Sequence, residues 1–155
     1  MSLDKDKAVA LLNQIMELEL AGVIRYTHYA LMVYGYNRIP IVEWLNKQAE
    51  EGLLHARKAG EMVTLLGGHP SFAIGPLLET HLHDTNTACS IPISNILQES
   101  LSNEDESLKL YYQLLELAQG KSVLVEEYAR SQIVAEEMHT DVVKKMLRQP
   151  CEAGK

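Results

Sequence analysis

No stretch of the 155 residues approaches the roughly 18 consecutive apolar positions of a membrane span, and the charged segment Met1 to Lys7 has no apolar core of a leader behind it. Both absences point to a chain that works in water, in the cytoplasm and away from the bilayer. Basic clusters are missing as well: 14 Lys and Arg are scattered among 21 Asp and Glu, giving a net charge of −7 and a pI near 5.3. Nothing here attracts nucleic acid or an anionic membrane surface, whereas cations are favoured. Only two cysteines occur, Cys89 and Cys151, and their wide separation excludes a close-spaced thiol redox or thiolate zinc motif. One Phe and one Trp stand beside seven Tyr, so most of the aromatic side chains carry a hydroxyl.

What is present is helical periodicity around a 46% apolar composition, enough for a single domain over 1–155 with one core. Four segments place apolar residues on one stripe at about 100° per residue. The first runs from Asp4 to about Tyr36, the second from Pro40 to Leu66, the third from Pro92 to Ala118 and the fourth from Ser122 to Arg148. Gly35 and Asn37 end the first, Gly67-Gly68 the second and Gly120 the third; Ser122 suits an N-cap, and Lys144, Lys145 and Arg148 complement the last helix dipole. Between Gly67 and Pro92 the periodicity breaks down, with only Pro76 to His83 suggesting a short helix. A connection of that length is best explained as a crossover that makes helices two and three parallel neighbours, so the expected fold is an all-α four-helix bundle.

Each apolar stripe is interrupted by costly polar residues. Glu19 interrupts the first, Glu51 and His55 the second, Glu104 the third, and Glu136 with His139 the fourth. One inward Glu is commonly a helix-end or snorkelling residue. Here, however, the two halves of the chain repeat one spacing: Glu19 is followed by Tyr26 at +7, Glu51 at +32 and His55 at +36, and Glu104 by Tyr111 at +7, Glu136 at +32 and His139 at +35. Two hairpins packed about a pseudo-twofold axis would gather four carboxylates and two imidazoles. Two divalent cations would cancel the four charges and remove the penalty of burying them. Oxygen and imidazole donors suit iron or manganese better than a thiolate metal. In the Gly67–Pro92 connection, Glu79, His81, His83, Asp84 and Cys89 form a second polar group, read as solvated loop or, more sharply, as an auxiliary metal or subunit-contact site.

The chain resembles the ferritin superfamily and is most similar to bacterioferritin. The resemblance spans nearly the whole length and rests on Leu12-Asn13 through Tyr26 with Glu19 inside, Glu104 on the third helix, and Glu-x-x-His at Glu136 to His139. It implies a ferritin-like bundle with a long crossover between helices two and three and a di-iron centre. It further implies Glu19, His55, Glu104, Glu136 and His139 as iron ligands, Glu136 as the bridge, Mn or Zn as possible substitutes, and Tyr26 as a phenol beside the site with Tyr111 its symmetry counterpart. The implied activity is ferroxidase chemistry, oxidation of Fe(II) by O2 or H2O2 for storage or detoxification.

Three departures qualify the resemblance. The family spaces the second-helix pair as Glu-x-x-His, which falls on Gly52 in this chain, so Glu51 is expected to supply the second bridge. The position of the bacterioferritin haem ligand is Leu53, so no haem is expected, while Leu53, Ile24 and Leu31 suggest an apolar contact between subunits. Only Pro150 to Lys155 follows the fourth helix, which favours a dimer or a Dps-like twelve-subunit shell over a 24-subunit cage. His28, opposite Glu19 on its helix, is read as a surface or interface residue. Two other functions need the same ligands: a rubrerythrin-like oxidase or peroxidase of small oligomeric size, and a structural bundle whose metals only brace the helices.

Overall fold

A computed structural model describes residues 2–73 and 92–150 as four helices: α1 (Lys5–Met32), α2 (Arg38–Leu65), α3 (Ile93–Ala118) and α4 (Val123–Leu147). Two begin at side-chain caps. The Asp4 carboxylate accepts from the Lys7 backbone N–H at 3.1 Å and the Ser122 hydroxyl from that of Val125 at 3.4 Å, each satisfying a donor that has no partner within the helix. The first helix ends at Met32 rather than near Tyr36. Arg38 is the cause: its guanidinium donates to the carbonyls of Ala30 (3.2 Å) and Val33 (2.9 Å), which a longer helix would have bonded itself. The second helix opens at Arg38, and Pro40 falls within its first turn, where the missing N–H has no intrahelical acceptor to lose.

At the far end of α2 the chain turns through Gly67, whose φ of +85° is left-handed, and Gly68 donates to the Val63 carbonyl at 2.9 Å. The segment beyond is tied to α1 by Asn13, which donates to the His69 carbonyl (3.0 Å) and accepts from the Ser71 backbone N–H (2.9 Å).

Helix directions follow from which residues meet. Gly68 lies against Val9, Gly60 against Met16 and Gly52 against Glu19, so α2 runs antiparallel to α1. Tyr29 bonds Glu99, Tyr26 bonds Glu104 and Tyr111 bonds Glu19, so α3 is also antiparallel to α1. Helices α2 and α3 are therefore parallel, and the link between them crosses the length of the bundle. Helix α1 packs along α2 and α3, and α3 along α4, whereas α2 and α3 are parallel but not packed as the neighbours that the crossover suggested, because α1 packs against both. The expected Pro76–His83 helix and the group Glu79, His81, His83, Asp84 and Cys89 lie outside the described residues, as does Cys151.

The core is divided in two. One cluster holds Leu12, Ile15, Ala59, Val63, Tyr111, Leu114, Val125 and Ala129; the other holds Tyr29, Val33, Leu45 and Ile96. Between them lies a polar layer, and the close-packed ends hold it in place. Truncating a fully buried anchor such as Leu12 to Ala would cost about 2–5 kcal/mol. Among the described residues no helix is long and apolar enough to cross a membrane.

Candidate metal centre

The polar layer is built from one turn of each helix. Glu19 comes from α1, His55 from α2, Glu104 from α3, and Glu136 with His139 from α4, the last pair three residues apart and so on one face. The Nδ1 atom of His55 lies 3.0 Å from Glu136 Oε1 and 3.7 Å from Glu19 Oε1, and Nδ1 of His139 lies 3.3 Å from Glu104 Oε1. Two groups of possible ligands result, Glu19–His55–Glu136 and Glu104–Glu136–His139, each with one donor atom per residue within 4.8 Å of the others. Glu136 belongs to both groups and is only 3% exposed.

Hydroxyls hold the carboxylates through the same oxygens that face the imidazoles. Tyr26 donates to Glu104 Oε1 at 2.8 Å, while Ser107 and Tyr111 donate to Glu19 Oε1 at 3.2 and 3.3 Å. Tyr128 packs edge-on against Tyr111, with ring centroids 6.2 Å apart. Trp44 forms a wall, 6.0 Å from the His139 ring and 6.2 Å from that of Tyr26. Ser107 was invisible to the stripe argument, although its place three residues after Glu104 puts it on the same face. The same holds for Arg25 and Tyr29, which follow Leu18 and Gly22 on a second stripe beside the one that carries Glu19.

Glu51 is not brought into either ligand group. Its Oε1 lies 3.9 Å from Lys47 Nζ and its side chain is 45% exposed, at the mouth of the cavity. The reason is helical phase: it sits four residues before His55, and the position three before, which faces Glu19, is the buried Gly52. A Cβ at position 52 would lie 3.8 Å from Glu19 Oε2 and 3.4 Å from the Glu19 carbonyl oxygen.

The electrostatics are those of a crowded anionic layer. Burial pushes the Glu136 carboxyl up; its hydrogen bond with His55 opposes this, and the neighbouring Glu104 and Glu19 reinforce it. Burial acts the same way on Glu104, but hydrogen bonds from His139, Glu136 and Tyr26 outweigh it and hold that group well below the usual carboxylate range. For His55, burial alone would lower the imidazole, yet its hydrogen bonds to Glu136 and Glu19 lift it to about 10. One proton shared by Glu136 and Glu104, and another on His55, do part of what a cation would do. The donor set fits two metal ions: each group offers two carboxylates and an imidazole, and the shared carboxylate has one oxygen for each side.

The Ferritin-like domain family matches residues 9–150, a span that contains every residue of this layer. The chain belongs to the ferritin-like family. No curated protein matches it by sequence, and similarity to solved structures lies in the fold. A ferritin-like diiron-carboxylate protein from Bacillus anthracis superposes with a TM-score of 0.79 at 21% identity, over 96% of this chain and 100% of the other. A dodecameric thioferritin, the bacterioferritin-related protein of Bacteroides fragilis, gives 0.79 at 23% identity, over 94% and 87%. Dps from Thermosynechococcus elongatus gives 0.81 at 14%, over 97% and 96%. As a ferritin-like bundle the chain has the topology deduced above, with its polar layer at mid-length.

Proposed function

We propose that this ferritin-like chain binds two iron ions between Glu19, His55, Glu104, Glu136 and His139 and oxidises Fe(II) with O2 or H2O2, so that iron is stored or rendered harmless. The observation that carries this reading is that two ligand groups from four helices share one buried carboxylate, Glu136. Two Fe(II) held there supply one electron each, which with two protons take dioxygen to hydrogen peroxide, or hydrogen peroxide to two waters.

The chain supplies selection, orientation and protons. Fe(II) approaches between α2 and α4, where the cavity mouth is lined by Glu51, Leu54, Ala135 and Met138; Glu51 draws the cation in without belonging to the inner set. Loading releases the protons of His55 and Glu136. Tyr26 fixes Glu104, and Tyr111 with Ser107 fixes Glu19, each through the Oε1 atom that also faces a histidine of the layer. The apolar side chains at the mouth also suit a rubrerythrin-like peroxidase, which would turn over without accumulating iron. The protein is read as a homo-oligomer acting in the cytoplasm.

Aerobic Fe(II) oxidation followed by near-ultraviolet absorbance tests the reading. Glu19→Ala, Glu104→Ala and Glu136→Ala should fall to the rate of Fe(II) in buffer, whereas Glu51→Gln should load iron more slowly yet still bind two per chain. Wild-type rates in the first three variants would refute it.

A further inference from the structure

Arg25 is the one charged side chain at the centre of the bundle that the iron chemistry leaves unexplained. It precedes Tyr26 on α1, is 4% exposed, and lines the same cavity as the ligand groups, together with Gly22, Tyr29 and Asn103 on the α1–α3 side. Its charge acts on the neighbouring Tyr29 phenol, which donates to Glu99, and among the described residues its guanidinium forms no hydrogen bond or ion pair. A guanidinium carries five N–H donors and a charge that cannot be shed, so leaving it buried and unmatched is costly. Of the nearby carboxylates, Glu104 holds Tyr26 and His139, Glu19 holds His55, and Glu99 accepts from Tyr29 and has a further partner.

The metal centre, on the reading given above, shows a matching deficit. Three inner carboxylates against two divalent cations leave one positive charge, and oxidation to the trivalent state adds two more. Gly52 contributes no side chain to cancel it, and Glu51 is turned to Lys47. The cavity, about 420 Å³, has room for an ion beside the metals.

We propose that Arg25 and the Asn103 amide form an anion subsite, on the α1–α3 side of the cavity, that holds a small tetrahedral oxoanion such as inorganic phosphate against the metal centre. A tetrahedral ion is favoured over a planar carboxylate because it can turn some oxygens to the cations and others to the guanidinium fork. This inference rests on the two-metal reading and deepens it.

The test uses the full chain loaded with redox-silent Zn(II), titrated calorimetrically with inorganic phosphate, with bound zinc measured in the same samples. One phosphate per chain should bind saturably. Arg25→Met should weaken it about tenfold or more at unchanged zinc content, and Arg25→Lys, which keeps charge but not the fork, should fall between. No saturable binding to the wild type, equal affinity in wild type and Arg25→Met, or acetate binding as tightly as phosphate would each overturn the assignment. Should Arg25→Met fail to fold, Arg25→Lys decides by the same comparison. Failure to hold zinc would instead defeat the two-metal reading and the subsite with it, and the zinc content measured in each sample tells that failure from a loss of phosphate binding alone.

Discussion

Tyr26 and Tyr111 occupy equivalent places in the two halves of the chain but are not equivalent as hydrogen-bond donors. The 2.8 Å bond from Tyr26 to Glu104 is short and charge-assisted, whereas the 3.3 Å bond from Tyr111 to Glu19 is long and is shared with Ser107. Removing an outer partner of a metal ligand costs about 10–100-fold in metal affinity or activity. Tyr26→Phe should therefore weaken metal binding within that range, and Tyr111→Phe by clearly less, since Ser107 still holds Glu19. Metal titration of the two variants checks the order, and a larger loss for Tyr111→Phe would show that the donor geometry is not what matters. At this scale pH also has a definite sign. His55 binds its proton more tightly folded, at about 10, than its ordinary 6.5, so the stability it lends to metal-free protein is complete below 6.5 and is lost as pH rises through 10. Glu136 is shifted upward too, so its ionisation in the unfolded chain above 4.5 acts in the same direction. Melting temperature of the chelator-treated protein should fall from about pH 4.5 to 10, most steeply between 6.5 and 9 where both groups act, and the gain on adding divalent metal should grow over the same interval. A flat profile would mean that these protons are not held as described.

Among the elements, Gly52 within α2 and Gly68 just past its end are of opposite character. A Cβ at Gly52 would meet its neighbours at 3.4 Å or more, ordinary contact, and replacing a mid-helix glycine by Ala gains up to about 1 kcal/mol of backbone stability. A Cβ at Gly68 would fall 2.6 and 2.7 Å from the two methyls of Val9, a stiff β-branched side chain, and must push α1 aside at about 1–3 kcal/mol. Urea denaturation should show Gly52→Ala neutral or stabilised and Gly68→Ala destabilised; equal behaviour would contradict the packing of α1 on α2. The helices themselves were legible because periodicity, caps at Asp4 and Ser122 and the Gly67 turn all agree. The end of α1 was not, because its stop signal is the side chain of Arg38, which reaches back across the turn and leaves no mark in the periodicity. The five residues Glu19, His55, Glu104, Glu136 and His139 of the polar layer were legible as polar breaks in apolar stripes. Glu51 was placed by the same stripe, but one residue of helix is about 100° of rotation, and that separates a cavity mouth from its interior. Arg25 was hidden because the second stripe of α1 resembles ordinary helix surface until α3 covers it.

At the scale of the whole molecule the outer face of the α1–α2 hairpin carries exposed apolar side chains. Ile24 is 49% exposed and Leu31 67%, on one side of α1, with Leu53 37% exposed on α2. Covering such side chains gains roughly 25 cal/mol per Å² removed from water, so three of them set the centre of a subunit contact whose rim is polar. These exposed side chains predict a contact between copies of this chain across that face. Ile24→Glu combined with Leu31→Glu places two like charges at the contact without touching the polar layer or either core cluster, so helicity should be unchanged while native mass drops towards that of the protomer. Unaltered native mass in the double variant would remove this face from the assembly. Bound iron counted in the same native-mass experiment separates the remaining alternatives: many ions per assembly mean storage, and two per chain mean a centre that turns over and passes its product on.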